Sequence, residues 1–165
     1  MLHLYWGDGK GKTTAAMGLA LRALGHGRRV VVLQFLKDGT SGEIALLRRC
    51  GAEVHACPNA KFTWLMTEAE RAEARQHNTA ALRDALDTPF DLLVLDEACA
   101  ACRHQLVDEA LLRQAAAMAK QGREVVLTGR DPAPWMQEAA DYSTELRAVR
   151  HPYTQGIPAR EGIEY

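Results

Sequence analysis

The 165-residue sequence has no long hydrophobic run and no excess of either charge. Its most apolar stretches, Val30–Leu33 and Leu92–Leu95, are far shorter than the roughly 20 residues needed to cross a bilayer. It has 20 basic and 21 acidic side chains, so its net charge of −1 gives no electrostatic basis for non-specific binding to nucleic acid. We therefore expect neither a membrane nor a nucleic acid as a partner.

A targeting signal is also missing. The chain starts Met1-Leu2-His3 and reaches a glycine-rich segment by residue 7, which leaves no room for the charged and apolar regions of a secretion signal. We therefore expect a cytoplasmic protein whose four cysteines stay reduced. Cys99, Cys102 and His104 invite a metal site, but only one Cys-x-x-Cys pair is present and the small residues between its members suit helix packing. We favour the packing interpretation.

Strand-like and helix-like patterns alternate along the whole chain. The predicted strands are 2–6, 29–35, 53–56, 91–95, 124–128 and 144–150, and the predicted helices are 12–24, 42–49, 67–86, 107–121 and 134–140. Such alternation indicates a mostly parallel sheet with helices on both faces, a three-layer α/β/α architecture. Because no repeat or linker interrupts the pattern, we expect a single domain over residues 1–165.

A glycine-rich segment joins the first predicted strand to the first predicted helix. It consists of Gly7, Asp8, Gly9, Lys10, Gly11, Lys12, Thr13 and Thr14. A turn of this kind presents backbone N–H groups and a helix N-terminus to phosphate, while Lys12 adds charge and the Thr13 hydroxyl is suited to Mg²⁺. The segment therefore predicts ATP and Mg²⁺ binding in a P-loop NTPase-like fold of the RecA type. The alternative, a flexible loop that binds nothing, leaves the Gly-Lys-Thr-Thr ending unexplained.

This loop is one residue shorter than the general phosphate-loop pattern. Three residues, not four, separate Gly7 from Gly11, and Trp6 stands where the first glycine is expected. We expect the shorter loop to encircle the phosphates differently. It need not present the γ-phosphate to water as a hydrolase would.

Two carboxylates, Asp96 and Glu97, follow the apolar strand that ends at Leu95. They can serve Mg²⁺ and ribose in a transferase, activate water in a hydrolase, or simply cap the next helix. Arg130 follows another strand at the same edge of the sheet, where ligands of open α/β sheets bind. Arg130, and Arg22 on the first helix, can each contact nucleotide or face solvent.

Several motifs, taken in order, resemble those of the ATP:corrinoid adenosyltransferases, also called cob(I)yrinic acid a,c-diamide adenosyltransferases. The resemblance spans nearly the whole chain. Its motifs are the short loop Gly7–Thr14, Gln34-Phe35-Leu36-Lys37, Phe62-Thr63-Trp64, Leu95-Asp96-Glu97, Thr128-Gly129-Arg130, Thr144-Glu145-Leu146-Arg147 and Gly162-Ile163-Glu164-Tyr165. The short loop and the Phe-x-Trp segment are more specific than a general phosphate-loop signature.

The resemblance implies transfer of the 5′-deoxyadenosyl group of ATP to the Co(I) of a reduced corrinoid, with release of tripolyphosphate. ATP would lie reversed in the loop Gly7–Thr14, so that C5′ is presented to cobalt. Lys12, Thr13 and Glu97 would be the catalytic groups, with Thr13 and Glu97 on Mg²⁺ and Asp96 behind them. Arg22 would support the nucleotide.

The corrinoid, cobalamin or cobyrinic acid a,c-diamide, would meet Phe62 and Trp64, whose bulk would exclude an axial ligand and ease reduction to Co(I). An aromatic core pair is the alternative for these two residues. The resemblance also implies a homodimer and an electron donor such as a reduced flavoprotein, in cobalamin biosynthesis or salvage. Family members often carry a covering segment before the first strand; here the first strand starts at once, which predicts a more open site. The rival functions are an ATPase or small-molecule kinase and a nucleotide-dependent switch module.

Overall fold

The computed structural model describes residues 1–57 and 65–164. The strands are β1 (Leu2–Trp6), β2 (Val30–Gln34), β3 (Glu53–Ala56), β4 (Leu92–Asp96), β5 (Glu124–Gly129) and β6 (Tyr142–Glu145). The helices are α1 (Lys12–Gly25), α2 (Gly42–Arg49), α3 (Glu68–Asp87), α4 (Ala98–Arg103), α5 (Glu109–Ala117) and α6 (Pro134–Ala139). Phe62 and Trp64, the predicted corrinoid contacts, lie outside the described residues.

All six strands form one sheet in the order β3-β2-β4-β5-β1-β6, and every pair of neighbours among the described residues is parallel. This confirms the predicted fold class. β5 lies between β1, which leads into the phosphate loop, and β4, which ends in Asp96. Because parallel strands place their carboxyl ends at one edge, the loop, Asp96 and Gly129 meet there.

Helices cover both faces of the sheet, which explains why β2 and β4 are continuously apolar. Alternate residues point to opposite faces: Val31 and Leu93 pack in one hydrophobic core, whereas Val32 and Val94 pack in the other. The first core includes residues of α3, α4, α5 and α6, and the second includes residues of α1 and α2. The phosphate loop is therefore anchored at both ends, by β1, whose Leu2 and Leu4 are buried, and by α1.

Three elements differ from the sequence prediction by more than a shift of one residue at an end. The short helix α4 was not predicted, and the predicted helix 107–121 consists of α5 followed by a 3-10 turn at Met118–Gln121. The last strand is 142–145, not 144–150. Pairing with β1 stops at Trp6 and Glu145, because β1 itself ends there and the chain after Glu145 turns onto the phosphate loop.

Within residues 1–57 and 65–164, no helix is both long enough and apolar enough to cross a membrane.

Candidate nucleotide-binding site

The phosphate loop leads into α1, and its residues from Asp8 to Thr14 line a cleft at the sheet edge. Gly11 precedes α1 with φ +114° and, within the described chain, no side chain caps the helix. The Lys12 ammonium donates to the Gly9 carbonyl at 2.7 Å, across the loop. Burial lowers the pKa of Lys12, although the nearby Glu97 carboxylate opposes the shift. An uncapped helix N-terminus with a partly buried lysine is a site for an anion.

The segment after β6 supports this loop from behind. The Gly9 N–H donates to the Leu146 carbonyl at 2.7 Å, and the Ala148 N–H donates to Asp8 Oδ1 at 3.1 Å. A Cβ on Gly7 would lie 2.5 Å from the Leu146 carbonyl oxygen, and one on Gly9 would lie 2.8 Å from it. These two glycines are therefore required by the protein's own backbone. The sequence analysis identified these glycines only as part of a phosphate-binding turn and did not identify this contact.

Asp96, at the end of β4, is fully buried and accepts four side-chain hydrogen bonds. Its Oδ1 accepts from Thr13 at 2.9 Å and from Thr128 at 2.7 Å. Its Oδ2 accepts from Gln34 at 3.0 Å and from the Lys37 ammonium at 2.7 Å. Burial alone would raise the pKa of Asp96, but the Lys37 charge and these donors lower it below its ordinary value. Asp96 is therefore ionised, and it connects α1, β2 and β5.

Glu97 extends from the same strand end in a left-handed conformation, with φ 61° and ψ 24°. Its N–H donates to the Thr128 hydroxyl at 3.0 Å, which fixes the backbone beside Asp96. Burial and the Asp96 charge raise the pKa of Glu97, while the Lys37, Lys12 and Arg130 charges oppose the shift. Glu97 is thus a carboxyl group held at the cleft whose charge depends on the cations around it.

These groups line or underlie a cleft of about 800 Å³. The predicted site residues that line it are Asp8, Gly9, Lys10, Gly11, Lys12, Thr13, Thr14 and Glu97. Lys37, Arg130 and the chain end at Gly162–Glu164 line it as well. Gly7 borders an adjacent, smaller cavity instead, and Asp96 lies beneath the cleft surface. The volume is that of a pocket for a drug-sized or nucleotide-sized ligand.

Arg22 lies elsewhere. It is an exposed residue of the last turn of α1, about 15 Å along the helix from Lys12 by the rise of 1.5 Å per residue. Burial raises the pKa of Tyr5 of β1, and the charge of Arg22 partly opposes this shift. Arg22 therefore lies near Tyr5. Arg22 does not line the cleft. Its support of the nucleotide stays a prediction.

The residues around Thr13 fit a magnesium ion. The Thr13 hydroxyl and the Asp96 carboxylate converge at 2.9 Å, and oxygen is the ligand atom that Mg²⁺ prefers. The buried Gln34 Oε1, beside Asp96, has no hydrogen-bond partner within the described chain. No group of three or more His, Cys, Asp or Glu among the described residues forms a metal cage. Substrate phosphates would have to complete the shell, as they commonly do for Mg²⁺.

The two cysteines of α4 are packing residues. Cys99 and Cys102 are buried, and His104 is exposed at the end of the helix. Burial, with the Glu97 and Cys102 charges, raises the pKa of Cys99 to about 12, which keeps the thiol protonated. A Cβ on Gly129 would lie 2.6 Å from the Cys99 Cβ, so α4 packs directly on β5.

The parallel α/β/α fold and the loop between β1 and α1 define a P-loop nucleotide-binding protein of the RecA type. The family model described as "ATP:corrinoid adenosyltransferase BtuR/CobO/CobP" matches residues 1–165. The chain belongs to this family of corrinoid adenosyltransferases, whose substrates are ATP and a corrinoid. This confirms the resemblance noted in the sequence.

Individual relatives agree with the family model. The corrinoid adenosyltransferase of Pseudomonas aeruginosa is 39% identical over 171 residues, covering 100% of this chain and 83% of its own length. Those of Escherichia coli K12 and Salmonella typhimurium are 37% and 38% identical, each covering 100% of this chain and 85% of its own length. Among solved structures, a KaiC-like protein from Pyrococcus horikoshii superposes with a TM-score of 0.50 at 15% identity, over 88% of this chain and 71% of that one. That likeness concerns the fold alone.

Proposed function

We propose that this chain transfers the 5′-deoxyadenosyl group of ATP to the Co(I) of a reduced corrinoid and releases tripolyphosphate, in cobalamin biosynthesis or salvage. Family membership supports adenosyl transfer as the class of reaction. The geometry of the phosphate loop supports the finer choice of C5′, not the γ-phosphorus, as the atom attacked.

The main evidence for attack at C5′ is the contact between Leu146 and the short phosphate loop. The loop lacks one residue of the general pattern, and the Gly9 N–H is already bonded to the Leu146 carbonyl at 2.7 Å. A loop with fewer residues and one amide engaged by the protein has fewer donors left to surround a terminal phosphate. It is suited to holding a triphosphate as a leaving group along the start of α1.

The proposed reaction needs no general base. The Co(I) electron pair attacks C5′, the C5′–O bond breaks, and tripolyphosphate departs with the bonding electrons. Cobalt passes formally from Co(I) to Co(III), and no proton is removed from either reactant. The protein therefore has to align C5′ with cobalt and stabilise the charge that develops on the leaving oxygen.

The chain's own cations suit this leaving group. Lys10, Lys12 and Arg130 line the cleft with the N-terminus of α1. Thr13 and Glu97 would hold Mg²⁺, with Asp96 fixing the Thr13 hydroxyl at 2.9 Å. When bound, Mg²⁺ would neutralise phosphate charge and so make tripolyphosphate a better leaving group.

The remaining parts of the proposal come from the family resemblance. Phe62 and Trp64 would contact the corrinoid and exclude an axial ligand from cobalt, and Arg22 would support the nucleotide. The protein would act in the cytoplasm as a single-domain homodimer, supplied with electrons by a donor such as a reduced flavoprotein. Sedimentation equilibrium tests the dimer; a single species at the 18.2 kDa chain mass would contradict it.

One observation favours a second candidate. Glu97 borders the cleft and has a raised pKa because of burial and the Asp96 charge, as a base that activates water or a hydroxyl would. An ATPase or small-molecule kinase would use it in this way.

Product analysis separates the two candidates. The protein is incubated without oxygen with ATP and chemically prepared Co(I) corrinoid, and its phosphate products are resolved by ion exchange. Adenosyl transfer predicts tripolyphosphate together with a photolabile cobalt–carbon species. ADP or orthophosphate alone would contradict the proposal. Lys12→Ala should reduce ATP use by roughly 100-fold, since it removes a preorganised charge at the leaving group, whereas Lys120→Ala, an exposed lysine of the 3-10 turn, should not.

A further inference from the structure

Lys37 occupies a position that sequence reasoning gave no role. It follows β2 by three residues, and its ammonium donates to Asp96 Oδ2 at 2.7 Å and to the Thr13 hydroxyl at 2.9 Å. The Thr13 hydroxyl is one of the ligands proposed for Mg²⁺, and the Asp96 carboxylate lies directly behind it. The ammonium is therefore a cation that the chain itself supplies to this pair.

Among the four donors to Asp96, Lys37 is the one able to leave. Gln34 and Thr128 are fully buried on strands, and Thr13 is fixed in the first turn of α1. The Lys37 side chain is 34% exposed, comes from a loop and lines the cleft, whereas Asp96 is completely buried. Rotation of the flexible lysine stem moves its charge into the cleft and breaks no strand or helix hydrogen bond.

Charge balance then makes Lys37 and a metal ion alternatives. A buried carboxylate without a partner is strongly destabilising, so Asp96 requires a cation in every state. A divalent ion bound to the Thr13 hydroxyl would lie close to an ammonium bonded to that same oxygen, and the two positive charges repel. A free metal ion offers the displaced ammonium no partner, whereas a metal–triphosphate complex brings phosphate oxygens that accept it.

We propose that Lys37 is an exchangeable internal cation. Its ammonium prevents free divalent ions from binding at the Thr13–Asp96 pair. When a metal–nucleotide complex binds, the metal replaces the ammonium at this pair, and the ammonium then binds the phosphates. The inference rests on the magnesium–ATP site of the proposed function, but not on adenosyl transfer. A switch of this kind selects the metal–nucleotide complex over its separate parts.

The direct test measures Mn²⁺ binding by electron paramagnetic resonance to the nucleotide-free protein. Lys37→Met should bind one Mn²⁺ at least roughly tenfold more tightly than the unchanged protein, because the competing cation is gone. Lys37→Arg retains a positive charge and should bind as weakly as the unchanged protein, and so should the remote control Lys120→Met. Adding Asp96→Asn to Lys37→Met should abolish the gained site. Equal Mn²⁺ affinity in Lys37→Met and the unchanged protein would overturn the inference.

A second measurement uses the unchanged protein, in case Lys37→Met does not fold. Lysines are labelled with ¹³C-methyl groups, and the Lys37 resonance is assigned as the one that disappears in Lys37→Arg. It should stay in place with Mg²⁺ alone and shift with Mg²⁺ plus ATP. A shift of the same size with Mg²⁺ alone would contradict the switch. Adenosyl transfer is not part of either measurement, so if product analysis failed while both gave the expected results, only the proposed function would be lost.

Discussion

The hydroxyl of Thr13 lies 2.9 Å from Oδ1 of Asp96, although the strands that lead to these two residues are not neighbours in the sheet. β5 lies between β1 and β4, and its Thr128 hydroxyl donates to the same oxygen at 2.7 Å. Thr128 also accepts the Glu97 N–H at 3.0 Å. The phosphate loop, the buried carboxylate and the cleft carboxyl group are thus joined through a single hydroxyl on the intervening strand.

The first prediction concerns that hydroxyl. Thr128→Val keeps the shape of the side chain but leaves the buried Asp96 oxygen short of a donor and the Glu97 N–H short of an acceptor. We expect a loss of about 2 kcal/mol in the free energy of unfolding, or a Tm lower by roughly 4–8 °C. Thr128→Ser keeps the hydroxyl and serves as the control. Thermal unfolding followed by circular dichroism measures both; an equal Tm in the two variants would rule out the proposed bridge.

The second prediction concerns the support of the phosphate loop. Gly7 has φ +110°, and an added Cβ would lie 2.5 Å from the Leu146 carbonyl oxygen. Gly7→Ala should therefore cost about 2–3 kcal/mol and weaken ATP binding, because either the loop or Leu146 must move. Gly25→Ala is the matched control: a Cβ there meets no described atom within 4 Å, and the change should stabilise α1 by up to about 1 kcal/mol. Denaturant unfolding and ATP titration give the two readouts, and similar behaviour of both variants would contradict the contact.

The third prediction follows from the charge of Glu97. Its pKa is raised by burial and by the Asp96 charge, so the folded state holds a proton more firmly than the unfolded state. Stability should then fall as the pH rises from about 4.5, the ordinary pKa of a glutamate, through the higher pKa of the folded state. The Glu97→Gln variant has no ionisable group at this position, so its stability should not fall in this pH range.

At neutral pH, Glu97→Gln should accordingly raise Tm by roughly 2–4 °C, the shift that about 1 kcal/mol produces in a protein of this size. The difference should shrink as the pH is lowered towards 4.5. Adenosyl transfer should decrease at the same time, if Glu97 holds Mg²⁺. The exposed Glu138, changed to Gln, is the control. A Tm difference that does not vary with pH would show that ionisation of Glu97 is not the cause.

The fourth prediction concerns the aromatic residues that the family resemblance assigns to the corrinoid. Phe62→Ala or Trp64→Ala should reduce adenosylation that starts from Co(II) and a reductant by at least roughly tenfold. Adenosylation of chemically prepared Co(I) should change much less, because the axial ligand hinders only the reduction step. Tyr142→Ala, a half-exposed aromatic on the edge strand β6, is the control. Equal losses from both cobalt states would remove the proposed role of Phe62 and Trp64.

The sequence predicted the strands and the main helices well because their signals are local. Apolar runs such as Val30–Leu33 indicate strands buried on both faces. The phosphate-binding residues of the loop between β1 and α1 are consecutive in the sequence, so a local motif identifies them. α4 was missed because its six residues are too few for a clear period. The end of β6 was placed too late because a strand ends where its partner β1 ends, which its own residues do not encode.

The site shows the same division. Thr13, Asp96 and Glu97 are identified by motifs, whereas the positions of Lys37 and Leu146 depend on contacts between distant segments. Lys37 and Asp96 are 59 residues apart in the sequence but form an ion pair. The Leu146 carbonyl contacts the Gly9 N–H because β1 and β6 are paired. The Gln-x-x-Lys spacing after β2 was the available signal for Lys37. No residue pattern shows that a backbone carbonyl occupies the space behind a glycine.

Labelled ATP tests most directly whether C5′ is the atom attacked. ATP carrying ¹³C at C5′ is mixed with Co(I) corrinoid and the protein without oxygen, and ¹³C and ³¹P spectra are recorded together. The ¹³C resonance should move from the range of a phosphate ester to that of a carbon bonded to cobalt, while all three phosphorus atoms appear as tripolyphosphate. A ¹³C resonance that stays in the phosphate-ester range while ADP or orthophosphate accumulates would contradict the account.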